Sequence, residues 1–388
     1  MIKMVKKLLL VLSLLFIFPP ISFCGGPLEV RRGKALSYGK RPLIYRYDKG
    51  DLGKLSNEEA VALVEELFSE WESIKTATIK FKRDNPDFLD ADVTSSNFKK
   101  FLNPKSDKDL KGYTPIIFDA DGSLLDAYLG EGGGNSAVGI GGPVVLKKQD
   151  RFSVPESVIV LNGRFINGVK TKDDGEVTIE FFKRAILHEI GHAIGLDHSQ
   201  LNVEALDPAA PKEVKDSVPL MFPKGSAELP SIMQDDISAL SYLYPNKAEL
   251  LNFGTISGKV FRADGKTPVL GANVVLRNID NPDIAISCVS DFLANKTGAY
   301  IFFAVPPGNY IIEIEPINTK FVSTSSAGPK VGPYTMSTND KSFIDPVPKG
   351  FYTGANLPVA TDKSMALTVT IEANKVLKNA NIIAEVKE

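Results

Sequence analysis

The chain has 388 residues, more than one hydrophobic core usually serves, so two globular units are expected. With 43% hydrophobic and 24% charged residues, and 25 prolines scattered rather than clustered, the composition excludes a disordered, collagen-like or multi-span membrane chain. The formal net charge is -2; without the three lysines of the first seven residues, 42 basic stand against 47 acidic residues, and no basic surplus points to nucleic acid.

Met1 to Lys7 carries Lys3, Lys6 and Lys7 and no acid, and Leu8 to Phe18 is apolar apart from Ser13, ending at Pro19-Pro20. This is the layout of a signal peptide over residues 1–24, and an apolar run of about 11 residues is too short to span a bilayer. Two processing outcomes are open at its end. Ile21-Ser22-Phe23-Cys24 resembles a bacterial lipobox, in which Cys24 would be lipidated and tether the protein to a membrane, although Phe23 departs from the small residue expected there. The other is ordinary cleavage near Cys24. Either implies export, to the extracellular space or the cell envelope. With Cys24 and Cys288 the only cysteines, no disulfide framework is available.

A short segment, 25–41, leads into a first domain expected over 42–247. Pro42 to Tyr47 reads as a strand, and Ser56 with Glu59 as a capping box ahead of a helix whose apolar face is Val61, Val64, Leu67, Phe68 and Trp71. Strands are expected at Ala77 to Phe81 and Pro115 to Phe118. A glycine-rich stretch, Gly130 to Gly142, comes next, then an apolar strand at Ser157 to Leu161 and a long helix from Ile179 to Leu196. After an irregular loop a last helix begins, capped by Ser231 with Gln234 and closed by Pro245. Beyond Asn252 the texture changes. Runs at Gly254 to Phe261, Ala272 to Leu276, Tyr300 to Phe303, Tyr310 to Ile314 and Leu367 to Ile371 are separated by Gly, Pro and Asn turns with no helical period, so 252–388 reads as an all-β sandwich with its own core. Cys288 there is a small buried hydrophobe rather than a nucleophile, since no histidine remains to activate it.

All three histidines of the chain fall in one span, HEIGHAIGLDHS, residues 188–199. His188 and His192, four apart on a helix, present imidazoles from one face, and His198 supplies a third after the helix ends at Gly195, the residue best able to take a positive φ. Three imidazoles leave a fourth metal position open, as catalysis requires, and Glu189 stands beside the first ligand as a base. A histidine on an amphipathic helix is more often simply packed, and bare HExxH strings occur by chance; the longer string weighs against both.

His188, Glu189, His192, Gly195 and His198 resemble the extended HExxHxxGxxH motif of metzincin zinc endopeptidases, and Ser199 makes it similar to the matrixin (matrix metalloproteinase-like) variant. Pro219-Leu220-Met221-Phe222-Pro223 resembles the matrixin Met-turn, which implies Met221 as an apolar floor under the ligands. Asp235 to Pro245 is similar to the last matrixin helix, whose acid pair implies a structural role for Asp235 and Asp236. The likeness covers Pro42 to Pro245. It departs in lacking a cysteine in 25–41 for zinc-capping latency, and in having Pro223 where some metzincins place a zinc-facing tyrosine. Asp119, Asp121 and Asp126, around Gly122, could hold Ca2+ as matrixin loops do; a solvated turn is the other reading. The later half, GTISGKVFRADGKTPVLGANVVLRN and TGAYIFFAVPPGNYIIEIE, resembles the carboxypeptidase regulatory-like, prealbumin-type module.

The expectation is therefore an α+β zincin-like catalytic domain followed by an all-β sandwich. Its function is that of an exported zinc metalloendopeptidase acting on protein or peptide, with Zn2+ on His188, His192 and His198 and Glu189 as general base. The alternatives are a zinc hydrolase of cell-wall peptide, and a surface adhesion or scaffold protein with a vestigial zinc site.

Overall fold

The computed structural model of the chain describes residues 26–146, 153–169, 176–223, 232–317, 330–331, 334–335 and 347–386. The signal peptide, Cys24 and the Ser231 cap lie outside these residues. Among the described residues no helix is long and apolar enough to cross a membrane.

The first half opens with a hairpin of β1 (Val30–Arg31) and β2 (Lys34–Ala35), then β3 (Leu43–Tyr47), whose Leu43, Tyr45 and Tyr47 turn inward. Helix α1 (Asn57–Glu72) starts at the expected capping box: Ser56 Oγ accepts the Glu59 amide, and the Glu59 carboxylate accepts the Ser56 amide. Its buried face includes Val64, Leu67, Phe68 and Trp71, with Val61 half-buried at its margin. The strand expected at Ala77 is displaced to β4 (Phe81–Phe88). Ala77 and Thr78 are held by the end of the last helix instead, through a bridge to Pro245 and a bond from the Thr78 amide to the Tyr244 carbonyl, so pairing with β3 begins only at Phe81. The short α2 (Lys99–Leu102), β5 (Thr114–Asp119), α3 (Ser123–Leu129), β6 (Gly139–Pro143) and β7 (Ser157–Asn162) follow. The strands form one sheet in the order β4-β3-β5-β7-β6, parallel except for the antiparallel edge strand β6. Edge positions tolerate the prolines that β4 and β6 carry.

Helix α4 (Ile179–Ala193) crosses beside this sheet, and the short α5 (Lys212–Lys215) and α6 (Gln234–Leu243) complete the first half. The Trp71 indole N–H donates to the Leu187 carbonyl at 3.0 Å, which fixes α1 against α4. The start of α6 differs from expectation: Met233 is its N-cap, and the Met233 amide donates to the Asp236 carboxylate at 2.9 Å.

The second half contains β8 (Gly254–Phe261), β9 (Ala272–Asn278), β10 (Ala285–Val289), β11 (Ala299–Val305), β12 (Gly308–Pro316), β13 (Lys330–Val331), β14 (Tyr334–Thr335), β15 (Gly350–Phe351), β16 (Leu357–Val359), β17 (Val369–Ile371), β18 (Val376–Leu377) and β19 (Ile382–Val386). No α-helix interrupts them among the described residues. One sheet runs β10-β9-β12-β15 with β17 also on β12; a second runs β11-β8-β19-β16 with β18 also on β8. They share one apolar cluster, to which β8 gives Ile256 and Val260 and β9 gives Val274 and Leu276. A mixed α/β half is thus followed by a β-rich half. Cys288 is buried in β10, and burial pushes its thiol up to about 12, which leaves it inert at neutral pH. The two halves are not separate in space: Tyr242 of α6 packs against both main clusters, and Gln234 donates to the Ala304 carbonyl of β11 at 2.9 Å.

Candidate metal centre

Helix α4 stops three residues before the expected Leu196, for a reason the backbone makes explicit. Gly195 takes φ +95°, its amide donates to the His192 carbonyl and the Leu196 amide to the Gly191 carbonyl, both at 2.9 Å, the paired bonds of a Schellman closure. Every remaining carbonyl of the closure is answered from elsewhere: Ala193 by the Ser157 hydroxyl (2.6 Å), Ile194 by the Tyr244 hydroxyl (2.6 Å) and Gly195 by the Leu28 amide (2.8 Å). This reversal carries the chain back so that His198 meets the two helical histidines.

The Nε2 atom of His198 lies 2.9 Å from Nε2 of His188 and 3.1 Å from Nε2 of His192. Among the described residues this triad is the one group of three or more histidine, cysteine, aspartate or glutamate side chains gathered closely enough to hold a metal ion. Orientation comes from the far side of two rings. His188 Nδ1 is 2.7 Å from the Leu220 carbonyl and His192 Nδ1 2.8 Å from the Leu196 carbonyl. A carbonyl only accepts, so both Nδ1 atoms carry the hydrogen and both Nε2 atoms present lone pairs to one point. Lone pairs so placed repel unless a cation, or one proton shared from His198, stands between them.

Burial holds all three imidazoles below their ordinary range: His192 falls to about 4, and His188 and His198, which also feel their histidine neighbours, lie well below 6.5. Protons on these rings therefore do not compete with a metal near neutrality. Three ligands with an ordinary value near 6.5 would lose about 30-fold in metal affinity between pH 7 and pH 6. Here the imidazoles contribute no such loss, and the one proton that Glu189 gives up beside a dication limits the fall in apparent affinity over that interval, titrated with a competing chelator, to about 10-fold; a loss of 30-fold or more would contradict this.

Glu189 sits one residue from the first ligand, and burial pushes its carboxyl up to about 8, opposed by the Gly141 amide. A dication beside it would act in the same downward direction as that amide. The glycine-rich stretch explains itself here. A Cβ on Gly139 would come within 3.0 Å of Glu189 Cγ, and one on Gly141 would strike the Glu189 backbone. Only bare backbone lets β6 lie this close to α4.

The turn that carries Met221 is held by Asp236, one of the two adjacent acids. Asp236 accepts the amides of Leu220 (3.0 Å) and Met221 (2.9 Å), and Arg184 donates to the Pro219 carbonyl at 2.9 Å. Burial raises both acids, and the charge of Asp236 raises Asp235 further, while three backbone amides pull Asp236 down. Asp236 is thus the better placed to carry the charge. Met221 packs against Gly191, one of the two residues that the histidine spacing leaves unspecified: a Cβ there would run into Met221 Sδ and stand 3.1 Å from Trp71 Cζ2. A mid-helix glycine costs about 1 kcal/mol of helix propensity, and that cost was the available signal. Gly191→Ala recovers the propensity, but Trp71 is pinned and only Met221 can yield. Overpacking typically costs about 1–3 kcal/mol, so a lower midpoint of urea unfolding is expected; a higher midpoint would show that Met221 moves freely.

The carboxylates of the acidic turn expected to hold Ca2+ have partners within the protein. Asp119 accepts the Leu124 and Leu125 amides at the start of α3, Asp121 accepts the Ser123 amide, and Asp126 accepts the Gly134 amide and pairs with Arg164 at 2.7 Å. Arg164 also donates to the Asp121 carbonyl and to Asn135. A guanidinium supplies the positive charge, and the three carboxylates do not converge on one point.

No protein-family model matches the chain, and a search of curated proteins finds none similar to it.

Proposed function

We propose that the chain is an exported zinc-dependent endopeptidase of the matrixin-like metzincin kind, with a zincin-like first half and a sandwich-like second half. The observation that carries the proposal is the convergence of three imidazole Nε2 atoms, two of them fixed as lone-pair donors, with Glu189 on the same helix. Two imidazoles bonded tetrahedrally to one zinc at about 2.0–2.1 Å stand about 3.3 Å apart, so the observed 2.9 and 3.1 Å separations need to open by only a few tenths of an ångström. An all-nitrogen set of this kind suits zinc better than calcium or magnesium, which take oxygen.

Zinc, when bound, supplies Lewis acidity to the scissile carbonyl and lowers the pKa of water. Glu189 takes a proton from the attacking water and returns it to the leaving amine. Strand β6 favours a peptide as substrate: among the described residues it pairs only with β7, so it is the outer strand of its sheet, and it lies against Glu189. An extended peptide can add to such an edge by main-chain hydrogen bonds that do not depend on its side chains. Pro223 offers no hydroxyl to a developing oxyanion.

Incubating the full chain with an unfolded protein and reading new termini by mass spectrometry tests this reading. Internal cleavages are expected. Release of cell-wall peptide alone would favour that alternative, and zinc binding without any cleavage would favour a scaffold.

A further inference from the structure

We propose that β9 and β10 of the second half are part of the support of the metal centre, with Asn273 and Ser287 as positioning residues for the segment that carries His198. The proposal rests on reading the triad as a metal centre.

After His198 the chain runs through residues 199–220 before reaching Met221, with only short helical turns on the way. A loop of that length does not by itself hold a ligand to the roughly 0.5 Å that a metal site demands. Its two ends are tied together, the Ser199 amide donating to the Met221 carbonyl at 2.8 Å. Its next residues are held from the other half of the molecule. The Asn273 side-chain amide of β9 donates to the Gln200 carbonyl at 3.0 Å and to Glu315 at 2.8 Å, and both Asn273 and Gln200 are fully buried. Asn202 accepts from Arg277 of β9 at 3.1 Å, and its own amide donates to the Ser217 carbonyl at 2.7 Å, joining the two limbs of the loop. Leu201 closes an apolar contact with Val275 and Ala285.

Strand β10 reaches the same place by another path. Ser287 donates its backbone amide (2.6 Å) and hydroxyl (3.1 Å) to Asp235, and its hydroxyl lies 3.4 Å from that of Ser199, next to His198. Asp235 adjoins Asp236, which holds the Leu220 and Met221 amides, and the Leu220 carbonyl orients His188. The segment after His198 is thus bonded to the second half directly, and the turn that orients His188 is linked to it through the neighbouring acids Asp236 and Asp235. Buried acceptors such as the Gln200 carbonyl are costly to leave unanswered, so the contact is specific and not mere adjacency.

The test is made in the full chain. Asn273→Ala removes the bond to Gln200. In the metal-free protein it should speed amide exchange about tenfold in the peptide spanning 198–203, and after zinc loading it should speed zinc release to a chelator by about 10-fold, the lower end for outer-shell partners. Asn278→Ala is the control: Asn278 accepts the Asp280 and Asn281 amides in the turn after β9, so its loss weakens the module without touching the loop. Exchange at 198–203 and zinc release should then stay at wild-type values. Arg277→Met, at a half-exposed position, provides a second variant should Asn273→Ala fail to fold, with an expected rise of about 2- to 3-fold in both rates. Identical behaviour of the loop-facing variants and Asn278→Ala would overturn the proposal. A wild type that holds no zinc would overturn the metal-centre reading instead, and the exchange measurement would still decide whether β9 holds the segment after His198.

Discussion

Replacing Glu189 with alanine should leave zinc content near one per chain while peptide hydrolysis falls by about 10²- to 10⁴-fold, the usual contribution of a general base. The two outcomes separate because the roles do. Glu189 is not among the three converging ligands, so its loss removes no metal bond. Its backbone still packs under Gly141, so β6 stays in place. Burial alone pushes the Glu189 carboxyl up, which means the free site bears a cost for carrying it. The metal-free variant should therefore unfold no earlier than the metal-free wild type. Metal content by mass spectrometry and hydrolysis on one preparation check both halves; a variant cleaving as fast as wild type would remove Glu189 from the mechanism.

His192→Ala should behave oppositely in metal content and alike in inactivity. Two imidazoles remain, too few to hold a tetrahedral site. His192 is also a structural partner, since its Nδ1 hydrogen answers the Leu196 carbonyl at the reversal that brings His198 back. Leaving that buried acceptor unpaired costs about 1–3 kcal/mol, so the variant should be less stable even without metal. Added zinc at about 100 times its dissociation constant stabilises a binding protein by about 2.7 kcal/mol. The wild type should thus gain several degrees in unfolding temperature from zinc and His192→Ala none. An equal gain in both would mean that the metal binds elsewhere.

What could be read in advance follows the range of the interaction. The spacing of His188, His192 and His198, the turn at Gly195 and the Ser56–Glu59 box are local, set by helix geometry and a cap, and they stand in the structure as the residues imply. The misplaced strand depended on partners far along the chain, Tyr244 and Pro245 for Ala77 and Thr78. The acidic turn looked like a cation site because its counter-charge, Arg164, lies 43 residues from Asp121. Asn273 and Ser287 were invisible for the same reason: they lie 73 and 52 residues from Gln200 and Asp235, and single polar residues in strands carry no period that marks them. Polar contacts between the halves are written in tertiary geometry alone.

The central claim is that the histidine cluster is a zinc centre that hydrolyses peptide bonds. It is tested most directly by stripping the full chain with a chelator, removing the chelator, and titrating zinc back while following cleavage of an unfolded protein. The account predicts no cleavage by the stripped chain and recovery that saturates at one zinc per chain. Cleavage that persists without metal, or saturated zinc binding that restores none, would contradict it.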